Sequence, residues 1–338
     1  MASTSNRPRQ TDAWDDICYP IATKPFTELV PDYEVAASDR QLLVVGTPEG
    51  QKPVIYAVQS NEYSVIPNSL LRGIVDRVLT DYSLDVRYTA TGEFAINVIV
   101  PDQRLHIGAQ ADTLSRSLVL SNSYSGKMPF KVQGTIVDNT LVEKRQEARM
   151  RISYYRQVCR NGLMGWSDEF MSLAEYQQWL AKGKPKKFKD AARISTTFEE
   201  ATTYQAPVGE VDHLSRKFQH KGLDLDWLST YLEQVVRRFL TQRPGLTLKV
   251  YQQMAQQVVN PEQAQAFLID AKLPKMLARQ ALARMEEEER LLQSEANLWL
   301  LYNAANHTLF NAQASMSIND RYRQDEAIYH SLASQVLV

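Results

Sequence analysis

Between Lys144 and Arg193 the chain carries twelve basic residues against five acids (Glu147, Asp168, Glu169, Glu175 and Asp190), an excess of seven positive charges in a protein whose 338 residues sum to −1. The basic residues are Lys144, Arg145, Arg149, Arg151, Arg156, Arg160, Lys182, Lys184, Lys186, Lys187, Lys189 and Arg193, and Tyr154, Tyr155, Trp166 and Phe188 are interleaved with them. Arginine and lysine facing a phosphate backbone gain free energy by releasing condensed counterions. Aromatic rings stack on unpaired bases at about 1–3 kcal/mol each. The pattern is that of a single-stranded nucleic-acid site, with Lys182, Lys184, Lys186, Lys187 and Lys189 on phosphates and Tyr154, Tyr155 or Trp166 on bases. The competing reading is a solvated loop at 182–189 beside a strand whose arginines make ordinary surface pairs.

Other constellations are weaker. Cys159 stands in Arg-Gln-Val-Cys-Arg-Asn-Gly-Leu, where Arg156 and Arg160 would lower a thiol pKa if they faced it, so a nucleophile paired with a distant histidine such as His106 is conceivable. Alternation from Ile152 to Val158 predicts instead that Cys159 ends a strand and packs in the core. His213, Arg216, Lys217, His220 and Lys221 form a second basic patch; seven residues separate the two histidines, too far to chelate one metal without help, and no third ligand lies nearby. Four successive carboxylates, Glu286 to Glu289, point around a helix rather than at one ion and read as a solvated face. Thirteen glycines build no Walker or dinucleotide-binding pattern, which disfavours ATP-driven recombinases and helicases, and no cofactor or metal is expected.

The elements that must position these residues follow from periodicity. A hydrophobic content of 44% supports a substantial core. Residues 1–40, with Pro8, Pro20, Pro25 and Pro31, read as an irregular arm whose Trp14, Tyr19, Phe26 and Tyr33 can dock on the body. Strands are predicted at 42–45, 54–58 and 63–66, followed by a helix in which Leu70, Leu71, Ile74, Val75, Val78 and Leu79 share a face. A hairpin turns at Thr91 and Gly92, and strands continue at 118–121, 130–132 and 135–137. Beyond about residue 168 the period becomes helical, with caps at Ser172, Asp224 and Asn260 and one long helical stretch from Pro274 to Ala312. Strands followed by helices predict an α+β fold, an antiparallel sheet with a packed helix in the N-terminal half and a helical C-terminal half. The divisions are a 1–40 arm, a 41–168 β-rich core and a 169–338 helical region packed on it. Two cysteines, Cys18 and Cys159, a polar N-terminus and no long apolar run suit a cytoplasmic protein away from membranes.

Three blocks, Asn-Ser-Tyr-Ser-Gly-Lys at 122–127, Val-Cys-Arg-Asn-Gly-Leu at 158–163 and Asn-Leu-Trp-Leu-Leu-Tyr-Asn-Ala at 297–304, resemble the domain of unknown function 932 family, whose members are described as phage/plasmid-like. The resemblance runs in order from about Val54 to His330. Members commonly carry a Ser-His-Asp-Gly turn where this chain has Ser123, Tyr124, Ser125 and Gly126, so acid/base or metal chemistry there is not implied. The resemblance implies a mobile-element setting, in which ATP-independent, oligomeric annealing proteins built from sheet and helix occur. Together with the charge pattern it gives the expectation of a non-enzymatic protein that binds or anneals single-stranded DNA through Arg149, Arg151, Tyr154, Tyr155, Arg156, Arg160, Trp166 and the five lysines. The rival expectations are an interaction protein whose Trp299, Tyr302 and Phe310 dock a partner or a second copy, and a cysteine-dependent enzyme.

Overall fold

The computed structural model describes residues 8–36, 40–108, 111–126, 130–132, 136–142, 145–150, 153–168, 170, 172–182, 217–218, 220, 222–241, 245–312 and 316–338. The fold is α+β. Its largest sheet is antiparallel, in the order β1 (Arg9–Thr11), β5 (Ser83–Tyr88), β6 (Glu93–His106), β7 (Thr113–Ser123), β11 (Ser153–Arg156) and β12 (Asn161–Leu163). The far edge of β7 is shared: Leu114 to Ser117 pair with β11, while Leu120 and Ser121 pair with β8 (Phe130–Val132), which carries β13 (Lys217–Phe218). A second sheet joins β2 (Ile21–Lys24), β3 (Gln41–Gly46) and β4 (Val54–Ser60), and β9 (Ile136–Val142) with β10 (Arg145–Met150) forms a two-stranded ribbon of its own.

Residues 8–36 carry more regular structure than their prolines suggest. Besides β1, β2 and the one-turn α1 (Phe26–Leu29), the segment buries Trp14 and Ile17, and the Trp14 indole donates to the Tyr82 hydroxyl at 2.8 Å. The predicted strand at 63–66 is not a ladder strand, because a loop takes its backbone groups: Ser64 N donates to the His220 carbonyl at 2.7 Å and Gly222 N to that of Glu62 at 2.8 Å.

Register assigns the faces of the main sheet. Leu84, Val86, Ile96, Val98, Leu118 and Leu120 line up on one face. They share one apolar core with Leu71, Ile74 and Val75 of α2 (Asn68–Val78) and with Leu228, Leu232, Val235 and Phe239 of α4 (Leu225–Thr241). The start of α2 is held by the sheet: Tyr124 Oη accepts from Asn68 N at 3.1 Å, and Asn122 Nδ2 donates to the Ile66 carbonyl at 2.8 Å. The opposite face carries Asp85, Arg87, Asn97, Ser115 and Ser117. Arg87 of β5 reaches Asn161 of β12, four strands away, at 3.1 Å. Flat strands spaced about 4.8 Å apart would keep that pair far beyond reach, so the sheet is strongly curved.

The helical half contains α3 (Leu173–Ala181), α4, α5 (Leu246–Gln256), α6 (Pro261–Asp270), α7 (Lys275–Leu292), α8 (Leu298–Asn311) and α9 (Ile318–Leu337). The caps expected at Ser172, Asp224 and Asn260 are made, and Asn260 and Gln263 complete a reciprocal capping box. The stretch from Pro274 to Ala312 is two helices instead of one. Gln293 enters the left-handed region at φ 50°, residues 294–296 are non-helical, and Asn297 caps α8 by accepting from Leu300 N at 3.0 Å. At the other end of α8, the carbonyls of Leu309 and Phe310 accept from the buried Arg321 and Arg87, which complement the negative helix terminus. No helix among the described residues is long and apolar enough to cross a membrane.

Candidate functional site

The strand that carried the nucleic-acid expectation faces inward. Tyr154 in β11 is fully buried, its ring edge-on to Tyr251 with centroids 5.8 Å apart, and its hydroxyl accepts from Gly245 N at 3.3 Å. Tyr155 is 4% exposed. Trp166 is buried, and its indole donates to Asp325 Oδ2 at 2.8 Å. Arg156 is fully buried in a bidentate pair with Asp112, Nε to Oδ1 at 2.7 Å and Nη2 to Oδ2 at 2.6 Å, while Nη1 bonds Glu288 Oε2 and lies 3.5 Å from Cys159 Sγ. Base stacking by Tyr154, Tyr155 or Trp166 and phosphate contact by Arg156 are therefore corrected. A strand covered on both faces leaves no ring or guanidinium for a polymer.

Around Arg156 the network is closed. Trp299 Nε1 donates to Asp112 Oδ2 at 2.7 Å, Arg284 Nε donates to Glu288 Oε1 at 3.0 Å, and the Arg156 guanidinium lies 5.5 Å from the Trp299 ring centre. Desolvation opposes the Arg156 charge, but Cys159, Asp112 and Glu288 outweigh it and raise its pKa. Of the four successive glutamates, Glu286 and Glu287 are exposed as a solvated face requires, whereas Glu288 is an interior counter-ion.

Cys159 lies in the β11–β12 turn, slightly past the strand end where alternation puts it, and is buried. Burial pushes its thiol up to about 11, with Arg156 pulling down and Glu288 adding to the rise. A thiol that keeps its proton at neutral pH is a poor nucleophile. The rest of the turn is packing: Arg160 adopts φ 50°, Asn161 Oδ1 accepts from Arg87, and a Cβ on Gly162 would lie 2.3 Å from Asn97 Oδ1.

The remaining expected residues divide. Arg160 is exposed, hydrogen-bonded to Tyr155 and within the field of Asp85 and Asp12; Lys182 is exposed at the end of α3. Arg149 lies in β10. Arg151, Lys184, Lys186, Lys187 and Lys189, and His213, Arg216 and Lys221 of the second patch, lie outside the described residues. His220 of that patch is buried, its Nδ1 2.8 Å from the Ser64 carbonyl and its ring stacked on Tyr63 at 4.7 Å, and burial lowers its pKa. Trp299, Tyr302 and Phe310, expected to dock a partner, are core residues. No group of three metal-ligating side chains occurs among the described residues.

Two features escaped the sequence. Asp325 is buried with no cationic partner among the described residues, accepting from Asn306 Nδ2 at 2.8 Å, Trp166 Nε1 at 2.8 Å and Tyr302 Oη at 3.2 Å; burial raises its pKa to about 6 against the pull of those donors. A cleft of about 590 Å³ opens between α7 and the last turns of α8, with Gln280, Arg284, Glu287, His307, Thr308 and Asn311 in its walls. His307 to Arg284 is a separation no local motif announces. Comparison with known proteins found no matching protein-family model, no matching curated protein and no matching solved structure.

Proposed function

We propose that this chain is a nucleic-acid-binding protein without a reaction of its own, engaging single-stranded DNA by charge from the segment between Lys144 and Arg193. The observation that carries the reading is the surplus of seven positive charges concentrated there in a chain of net charge −1. Arg156 is the one basic residue of that segment with a buried ion pair among the described residues. Arg145 and Arg149 lie in a ribbon separate from both other sheets, and Lys182 and Arg160 are exposed, which supports contact with an extended polyanion. Base stacking by the interior aromatics is no part of the proposal. The buried, protonated Cys159 supports a binding role over cysteine chemistry. The phage or plasmid setting, annealing activity, self-association and a cytoplasmic location belong to the same proposal through the resemblance of the three blocks, and two unpaired cysteines suit a reducing compartment.

Fluorescence anisotropy with labelled single-stranded and duplex oligonucleotides over a salt series tests it. Binding to the single strand is expected to weaken with a log–log slope of about −0.7 per phosphate contacted. Replacing Lys182, Lys184, Lys186, Lys187 and Lys189 by glutamate is expected to flatten that slope while circular dichroism stays unchanged. No binding at about 50 mM salt, where electrostatic association is strong, overturns the proposal.

A further inference from the structure

We propose that the cleft between α7 and the C-terminal turns of α8 binds a small oxyanion, a phosphate or carboxylate group, through Arg284 and His307. Of the Arg284 nitrogens, Nε bonds Glu288 Oε1 at 3.0 Å and Nη1 bonds Glu287 Oε2 at 3.1 Å; Nη2 has no partner among the described residues. The His307 ring is half-buried in the wall and likewise makes no hydrogen bond among the described residues. Behind the wall, Arg87 donates to Asn311 Oδ1 at 2.8 Å and to the Phe310 carbonyl at 2.9 Å, both neutral acceptors, and no carboxylate lies within ion-pairing distance of it among the described residues. The site thus combines an unused guanidinium nitrogen and an unused imidazole around an open volume, with the buried Arg87 behind the wall, the convergence of polar groups expected of a ligand pocket.

The charges facing His307 are Arg284 and Glu287 on α7, Arg87 on β5 and Arg156 on β11. Desolvation first, then Arg284, lowers the His307 pKa to about 4, with Arg87 and Arg156 acting in the same direction and Glu287 against them. The ring is therefore neutral at pH 7 and sits in a positive field. Two carboxylates oppose that field at Arg284, the buried Glu288 on Nε and Glu287 in the cleft wall; the Glu287 side chain is 61% exposed, so solvent screens it more than the buried Arg87. An oxyanion in the cleft offsets the cationic field and favours the protonated ring, so binding and His307 protonation are linked.

Histidine-selective NMR of the full chain, titrated with inorganic phosphate and separately with acetate, tests the inference. The expected result is a movement of the His307 ring signals and a rise in its pKa of about one unit, a tenfold linkage. Glu287→Gln, which removes the exposed opposing charge, is expected to tighten phosphate binding several-fold. His307→Gln is expected to weaken it about tenfold while leaving single-stranded DNA binding unchanged, which separates this site from the proposed nucleic-acid surface. The two anions distinguish a phosphate site from a carboxylate site. Unmoved His307 signals at about 10 mM of both anions, well into the range where millimolar ligands saturate, or an affinity indifferent to Glu287→Gln, overturns it.

Discussion

Replacing Arg156 by methionine separates an interior arginine from a DNA-contacting one. The guanidinium holds Asp112 with two bonds of 2.7 and 2.6 Å and Glu288 with a third, all three side chains being 1% exposed or less. In the variant, Asp112 keeps the Trp299 indole and Glu288 keeps Arg284 Nε, but the charge between the two carboxylates is gone. Breaking a buried pair by removing one partner costs about 3–5 kcal/mol, because a charge is left uncompensated. Against a usual total of about 5–15 kcal/mol that is a large fraction of the stability. Urea unfolding followed by tryptophan fluorescence measures it. The deficit is expected to shrink as pH falls, since an unpaired buried carboxylate escapes its penalty by taking a proton. Adding Glu288→Leu is expected to recover part of the loss, making the double variant less damaged than the two single losses summed. A loss below about 1 kcal/mol, the range of exposed pairs, accompanied by weakened DNA binding, refutes the reasoning and returns Arg156 to the surface.

Three further outcomes follow from the same interior. Asp325, with a pKa of about 6 in the fold against 3.8 for a free carboxyl, leaves the folded state holding more protons between those values. Stability therefore falls as pH rises through that window, by about 3 kcal/mol at 1.36 kcal/mol per unit, and is level above it. Asp325→Asn is expected to remove this dependence, since Asn306 Oδ1, without a partner among the described residues, can turn to meet the new amide; urea midpoints from pH 4 to 8, about the span of the shift, check it, and an unchanged slope counts against it. Gly162→Ala presses a methyl group into Asn97 Oδ1 and is expected to cost about 1–3 kcal/mol, recovered largely by Asn97→Ser, as a double-mutant cycle in urea reads. In a Cys18→Ser background, Cys159 with its thiol near 11 is expected to resist iodoacetamide in the native protein and to react only on unfolding; rapid native labelling by mass spectrometry speaks for an accessible thiolate.

How far the sequence can be read depends on whether a signal is local. Asn260 with Gln263, and Ser172 with Glu175, announce helix starts because cap and partner are three residues apart, and both are found. The Thr91–Gly92 turn and the face of α2 are legible for the same reason. Arg156 is different. Its partners Asp112 and Glu288 lie 44 and 132 positions away, so charge counted along the chain records the arginine and misses its neutralisation. Tyr154, Trp166 and Trp299 fail likewise, since an aromatic residue has the same spelling whether it meets a base, a partner or a core. The long stretch from Pro274 to Ala312 reads as one helix because Gln293 is an ordinary helix former, yet it adopts φ 50° and Asn297 caps a new helix four residues on.

Described residues of all three sequence blocks that suggested a family serve assembly. Asn122 and Tyr124 of the first fasten the start of α2. Asn161 and Gly162 of the second let β12 close against Arg87 and Asn97. Asn297 and Trp299 of the third cap α8 and join it to Asp112. Residues spent on packing in this way are silent on what the surface meets. It follows that substitutions of Asn122, Tyr124, Asn161, Gly162, Asn297 and Trp299 are expected to act through stability, whereas recognition of a polyanion must be sought among exposed residues such as Lys182 and Arg160, the outward-facing member of the second block. A variant that abolishes DNA binding from inside a block is informative only when its folded fraction is measured beside it, because at 3–5 kcal/mol per broken buried pair, loss of fold imitates loss of site.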